Sequence, residues 1–159
     1  MKITVACVGK IKEKYFTDAV NEYAKRLSRY VTLNIEEVPD EKAPENMSEA
    51  QMLNVKEIEG QRLLKKISKD SYIVALVIGG KKMTSESLAD FMADSMVKGV
   101  SHITFVIGGS LGLSNEVIKG ADLKLSFSDM TFPHQLMRVI LLEQIYRANR
   151  IMKNEPYHK

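Results

Sequence analysis

"YIVALVIGG", Tyr72 to Gly80, is the stretch that decides the fold. It is an unbroken apolar run closed by two glycines, the pattern of a strand buried on both faces. "HITFVIGG", His102 to Gly109, is a second run of the same kind. Between them a helix is expected from about Ser85 to Lys98. Strands buried on both faces need helices above and below, so the rest of the chain should supply them.

Outward from this pair the alternation continues. Ile3 to Val8 is a short β-rich run ending at Gly9. Tyr15, Phe16, Ala19, Val20, Tyr23, Ala24 and Leu27 recur at three- and four-residue spacing and predict a helix. "VTLNIEEV", Val31 to Val38, is a strand closed by Pro39. After a polar, proline-containing loop, Ser48 can cap a helix running through Met52, Val55, Leu63 and Ile67. Beyond Gly109 come a short helix capped at Ser114, a last strand "DLKLSFS", and a long helix from His134. The expectation is one α/β domain over residues 1–159, a mostly parallel sheet flanked by helices.

Composition fits a globular chain with a real core, 45% apolar and 27% charged. No apolar run of about 18 residues occurs, so no membrane association is expected. "MKITVACVGK" lacks the apolar length and cleavage site of a signal peptide, which points to the cytoplasm. The single cysteine, Cys7, fits a reducing compartment.

Ligands of open α/β sheets bind at the carboxyl ends of the strands. "GGKKMTS", "GGSLGLS" and "FSDMTFP" all fall there. Their glycines either admit a ligand to the backbone or only make turns. "GGSLGLS" has neither the Lys-Ser/Thr pair of a P-loop nor the spacing of a dinucleotide fingerprint. The loops suit a neutral, partly apolar ligand held by backbone groups. Leu76, Ile78, Ile107, Leu111, Leu113, Phe127, Met130 and Phe132 would line its pocket or belong to the core. His102, His134 and His158 have no ligand-spaced partners, so no metal is expected. Cys7 lies in a strand and no nucleophile elbow is present. Lys10, Lys12, Lys14, Lys81 and Lys82 are either a solvated surface or a positive rim for a large anion such as RNA.

The helix from His134 spreads its apolar residues around nearly the whole circle. One side can pack on the sheet. A homodimer is the expected cover for the other. Glu143 and Arg147, four apart, pair with each other or face solvent at a dimer rim.

"VIGGSLGLS", "LSFSDMTFPHQLMRVILLEQIYRA" and the closing "NEPYHK" together resemble the ribosomal RNA large subunit methyltransferase H family. The resemblance spans essentially the whole chain. It implies the SPOUT class, with a C-terminal trefoil knot, an exception to the rule against knotted chains. It implies S-adenosylmethionine bent in the knot and held mostly by main chain at Leu76, Gly108 and the run Phe127, Ser128, Asp129, Met130, Thr131 and Phe132. It implies a methyl group placed on N3 of a pseudouridine in large-subunit (23S) ribosomal RNA, within the ribosome, by a homodimer whose sites are shared.

For catalysis the candidates are His134, Arg138, Arg147, Tyr157 and His158. His134 titrates near neutrality beside the pocket turn, and serves as a base or only satisfies backbone groups. Arg138 and Arg147 would hold phosphate or an imide anion. Tyr157 and His158 sit on a tail that folds over a site or is a disordered end. The rival functions are a non-catalytic RNA-binding or ribosome-assembly module and a flavodoxin-like nucleotide-binding protein.

Overall fold

The computed structural model describes residues 1–159. Five strands form one sheet: β1 (Lys2–Val8), β2 (Thr32–Val38), β3 (Tyr72–Lys82), β4 (His102–Ile107) and β5 (Leu123–Ser126). Their order is β2-β1-β4-β3-β5, and every pairing is parallel. The helices are α1 (Lys14–Leu27), α2 (Glu49–Leu64), α3 (Ser85–Val97), α4 (Asn115–Lys119) and α5 (His134–Met152). No helix is long and apolar enough to cross a membrane.

The apolar runs feed two cores by simple alternation. Ile3, Val5 and Cys7 of β1, with Ile103, Phe105 and Ile107 of β4, point to the layer of α1, α3 and α5. Ala6, Val8 and Val106 point the other way, towards Leu63 of α2 and Val117 of α4. A strand with both faces covered has no polar positions to show, which is why 103–107 reads as continuous; in β3 the cover holds at Val74 and Ala75, whereas the apolar Ile78 is exposed.

Local signals fix the helix starts. Ser48 closes a capping box with Gln51: its hydroxyl accepts from the Gln51 amide at 3.2 Å, and its own amide donates to Gln51 Oε1 at 2.8 Å. Thr84 and Ser114 cap α3 and α4 by their hydroxyls alone, accepting from the Ser87 and Val117 amides. Pro133 directly precedes α5.

Several boundaries differ from the reading of the sequence. The fifth strand stops at Ser126, because Phe127 onwards enters a turn in which the Met130 amide donates to Ser128 Oγ at 3.0 Å. The third strand continues past its two glycines to Lys82. Its register against β5 slips between Leu76 and Lys81, so Leu76 ends the regular pairing but not the strand. α2 stops at Leu64, short of Ile67.

The largest correction concerns α5. Its second side is covered within the chain, because α1 and α3 flank it. Met137, Leu141, Leu142, Ile145 and Ala148 are buried beneath. At 100° per residue, Leu136, Ile140, Glu143 and Arg147 form the opposite stripe, and all four are partly open. The face left for another molecule is therefore one narrow stripe, apolar in its first half and charged in its second.

Candidate functional site

Three chain segments meet at the carboxyl edge of the sheet and wall a cleft of about 790 Å³. They are Leu76 to Ile78 from β3, Ile107 to Leu113 after β4, and Leu125 to His134 between β5 and α5. Ile118 and Met137 complete the lining. Of the residues expected at a cofactor, Leu76, Gly108, Phe127, Ser128, Met130, Thr131 and Phe132 all line this cleft. Asp129 does not. Its carboxylate turns outward to an ion pair with Lys82 at the lip.

The glycine loop is shaped by close backbone contact. The Gly112 amide donates to the Gly109 carbonyl at 3.1 Å. Gly112 has φ +87°, a conformation that side chains rarely adopt. A Cβ on Gly108 would stand 2.5 Å from the Gly112 carbonyl carbon and 2.8 Å from the Leu113 nitrogen. The loop must therefore have no side chain at either position. Gly112, Ile118 and Met137 are site residues that sequence reasoning did not single out. The third glycine of "GGSLG" was the available signal for Gly112.

His134 opens α5 at one end of the cleft. Burial holds its imidazole below the usual pKa, and the nearby Arg138 and Lys12 charges push the same way, with Asp40 opposing. It is therefore a neutral imidazole at pH 7, able to accept a proton. The Lys12 amide donates to Gln135 Oε1 at 3.2 Å, which seats the loop after β1 beside this helix end. Lys12 thus lies next to the start of α5 and Lys82 pairs with Asp129 of the cleft turn, and Lys10, Lys12, Lys81 and Lys82 are all exposed. Cys7 is buried in the core and takes no part, with burial pushing its thiol up to about 11.

Arg138 is placed elsewhere than expected. Its side chain is only 2% exposed. Nη1 pairs with Glu37 at 2.7 Å, and Nη2 donates to the carbonyls of Val8 and Gly9 at 3.0 and 2.6 Å. These bonds tie α5 to the ends of β1 and β2, where strand carbonyls would otherwise be buried without donors. In this chain Arg138 therefore serves as a structural tie, with its Nε buried and unpartnered and its guanidinium closed to solvent.

The other three candidates form a separate cluster along the outer stripe of α5. Arg147 pairs with Glu143 at 2.5 Å, which settles how those two charges are disposed. The Tyr157 hydroxyl donates to the same carboxylate at 3.1 Å, and its ring lies under the Arg147 guanidinium at 4.7 Å. Burial and the Glu143 carboxylate push the Tyr157 phenol up to about 12. His158 lies 3.3 Å from Arg147 and 2.7 Å from Glu86 at the start of α3. Arg150 holds the tail's approach by donating to Glu155 at 2.5 Å and to the Pro156 carbonyl at 2.9 Å. The tail is therefore docked on its own helix. The helix rise puts Arg147 roughly 20 Å along the axis from His134. One chain does not bring the tail to its own cleft.

Residues 1–158 match the family described as "Predicted SPOUT methyltransferase". It is 60% identical over 159 residues to Ribosomal RNA large subunit methyltransferase H 1 of Clostridium perfringens, covering all of both chains. A Methanococcus maripaludis relative, provisionally named for the same activity, is 59% identical over the same span. Among solved structures, a Haemophilus influenzae protein described as of the methylase family superposes with TM-score 0.55 at 12% identity, covering 99% of this chain and 70% of that one. A Legionella pneumophila protein named for methyltransferase activity and solved with S-adenosylmethionine superposes with TM-score 0.51 at 14% identity, covering 93% and 66%. At such identities these two speak to the fold alone.

Proposed function

Since the chain belongs to the SPOUT methyltransferase family, we propose that its cleft binds S-adenosylmethionine and that it methylates N3 of a pseudouridine in large-subunit ribosomal RNA. The observation that carries this reading is the make-up of the cleft. Its walls are apolar side chains and the backbone of two tight loops, with no charged side chain in the lining. Its volume suits a nucleoside-sized ligand. Apolar walls fit an adenine ring, and backbone donors and acceptors fit its edge. The full-length likeness to relatives named for this activity supports the choice of RNA. We read a C-terminal trefoil knot into this region, where the 107–113 loop and residues between β5 and α5 wall the same cleft.

S-adenosylmethionine, when bound, supplies a methyl group already activated on a sulfonium. The chain's task is to position the reactants, exclude water and handle one proton. The imide N3 loses a proton as it gains the methyl group. Neutral His134 at the cleft end is the group we assign to take it. Lys10, Lys12, Lys81 and Lys82 would meet the phosphate backbone. Arg147, Tyr157 and His158 would serve the cleft of a partner, so the active form is a homodimer in contact through the outer stripe of α5. Ribosomes place the work in the cytoplasm.

The test is transfer of labelled methyl from S-adenosylmethionine to ribosomes from cells lacking this protein, followed by mapping of the modified base. Label on N3 of one large-subunit pseudouridine is expected. Absence of label from ribosomes, subunits and free RNA alike would remove the proposal. His134 has its own signature. Its lowered pKa means the reactive neutral form is lost only as pH falls through a value below the ordinary one of about 6.5. Turnover should be level above that point and fall below it. His134→Ala should lose the acid limb. An unchanged limb in that variant would assign the proton to another group.

A further inference from the structure

Glu59 is a buried carboxylate, with 4% of its surface exposed, and it lies behind the glycine loop. A Cβ built on Gly109 would stand 3.0 and 3.2 Å from its two oxygens and 3.1 Å from Val8. Its one hydrogen-bond donor is the Glu41 amide, at a long 3.4 Å. The other oxygen has no protein partner and keeps some contact with water, and packing alone would be served better by an apolar side chain. Burial, helped by the Asp40 and Glu41 charges and opposed by the Glu41 amide hydrogen bond and Arg62, pushes its carboxyl above the usual range.

Its neighbours on α2 address the same loop. A Cβ on Gly60 would collide with the Ser114 hydroxyl that caps α4. Gln61 donates to Glu116 of α4 at 2.5 Å. Three consecutive residues of α2 thus seat the 108–116 segment from behind. Arg62 then binds the Pro39 carbonyl at 3.0 Å and pairs with Glu41, so the 39–41 loop is braced on the same turn.

We infer that Glu59 is a positioning residue for the methyl-transfer site: its carboxyl group, wedged between Gly109 and the Glu41 amide, holds the glycine loop in the shape that forms one wall of the cleft. It touches no reactant and acts through the loop. The inference rests on the cofactor reading of the cleft for its functional consequence, and on the loop alone for its structural one.

The experiment compares the full-length parent with Glu59→Gln, Glu59→Asp and Glu59→Ala. S-adenosylmethionine affinity is read by calorimetry, and amide hydrogen exchange at residues 108–113 is read without ligand. Glu59→Gln keeps the shape and should stay near the parent in both. Glu59→Ala should bind about fivefold more weakly, with faster exchange confined to the loop and turnover at saturating cofactor little changed. Glu59→Asp keeps the acid but withdraws it by one methylene, and should follow Glu59→Ala. It decides the matter if the alanine variant does not fold. Parent-like exchange in both shortened variants would overturn the inference, as would a loss in Glu59→Gln equal to theirs. A parent that binds no S-adenosylmethionine would remove the cofactor reading, while the exchange comparison would still decide the role of Glu59.

Discussion

Gly108→Ala is expected to lower affinity for S-adenosylmethionine by about a hundredfold or more, close to 2.7 kcal/mol, in a chain that remains folded. The added methyl group would lie 2.5 Å from the Gly112 carbonyl carbon and 2.8 Å from both the Gly112 oxygen and the Leu113 nitrogen. These are backbone atoms, so no side chain can swing aside to make room. The loop must open, and the wall it gives to the cleft moves with it. The sheet should survive, because β4 ends at Ile107 and its pairings with β1 and β3 lie before the loop. Gly79→Ala is the matched control, since a Cβ there meets nothing within 4 Å. Calorimetry on both variants, beside circular dichroism, separates loss of the site from loss of the fold. Parent-like affinity in Gly108→Ala would take the glycine loop out of the cofactor site.

The loop could be found from the sequence because its signal is local. Two apolar runs each ended in glycines, and in a parallel sheet strand ends mark the ligand edge. The cleft lining was legible for the same reason. What could not be read were the roles set by partners far away in the chain. Arg138 sits in an ordinary helical pattern, yet its partners are Glu37 and the Val8 and Gly9 carbonyls, more than a hundred residues away. Nothing near it in sequence shows that strand ends need its donors. Glu59 has the same history, since a glutamate in a charged helix is expected to face water. The all-round apolarity of α5 was plain, but its coverage by α1 and α3 depends on where the sheet lays those helices.

Deleting Tyr157 to Lys159 should lower methyl transfer at least about tenfold, or ~1.4 kcal/mol of transition-state stabilisation, with cofactor affinity unchanged. Two facts lead to this. The tail is not a loose end, for Tyr157 is fixed to Glu143 and His158 lies between Arg147 and Glu86. Yet it is fixed away from its own cleft, on the stripe of α5 whose earlier part carries the partly open Leu136 and Ile140. A tail held in this way is presented outward, where the proposed dimer would set a second copy on that stripe. The arrangement can be tested without knowing the dimer's geometry. A chain carrying Gly108→Ala has a broken cleft and an intact tail. The deleted chain has the reverse. If each site joins one chain's cleft to the other's tail, a mixed dimer contains one whole site. Statistical exchange makes half of the dimers mixed, so an equal mixture of two nearly inactive proteins should recover about a quarter of the parent's rate. Sedimentation of the mixture shows whether dimers form at all. Dimers that regain no activity on mixing would return the tail to its own chain, and a truncated protein at the parent's rate would leave it no part in transfer.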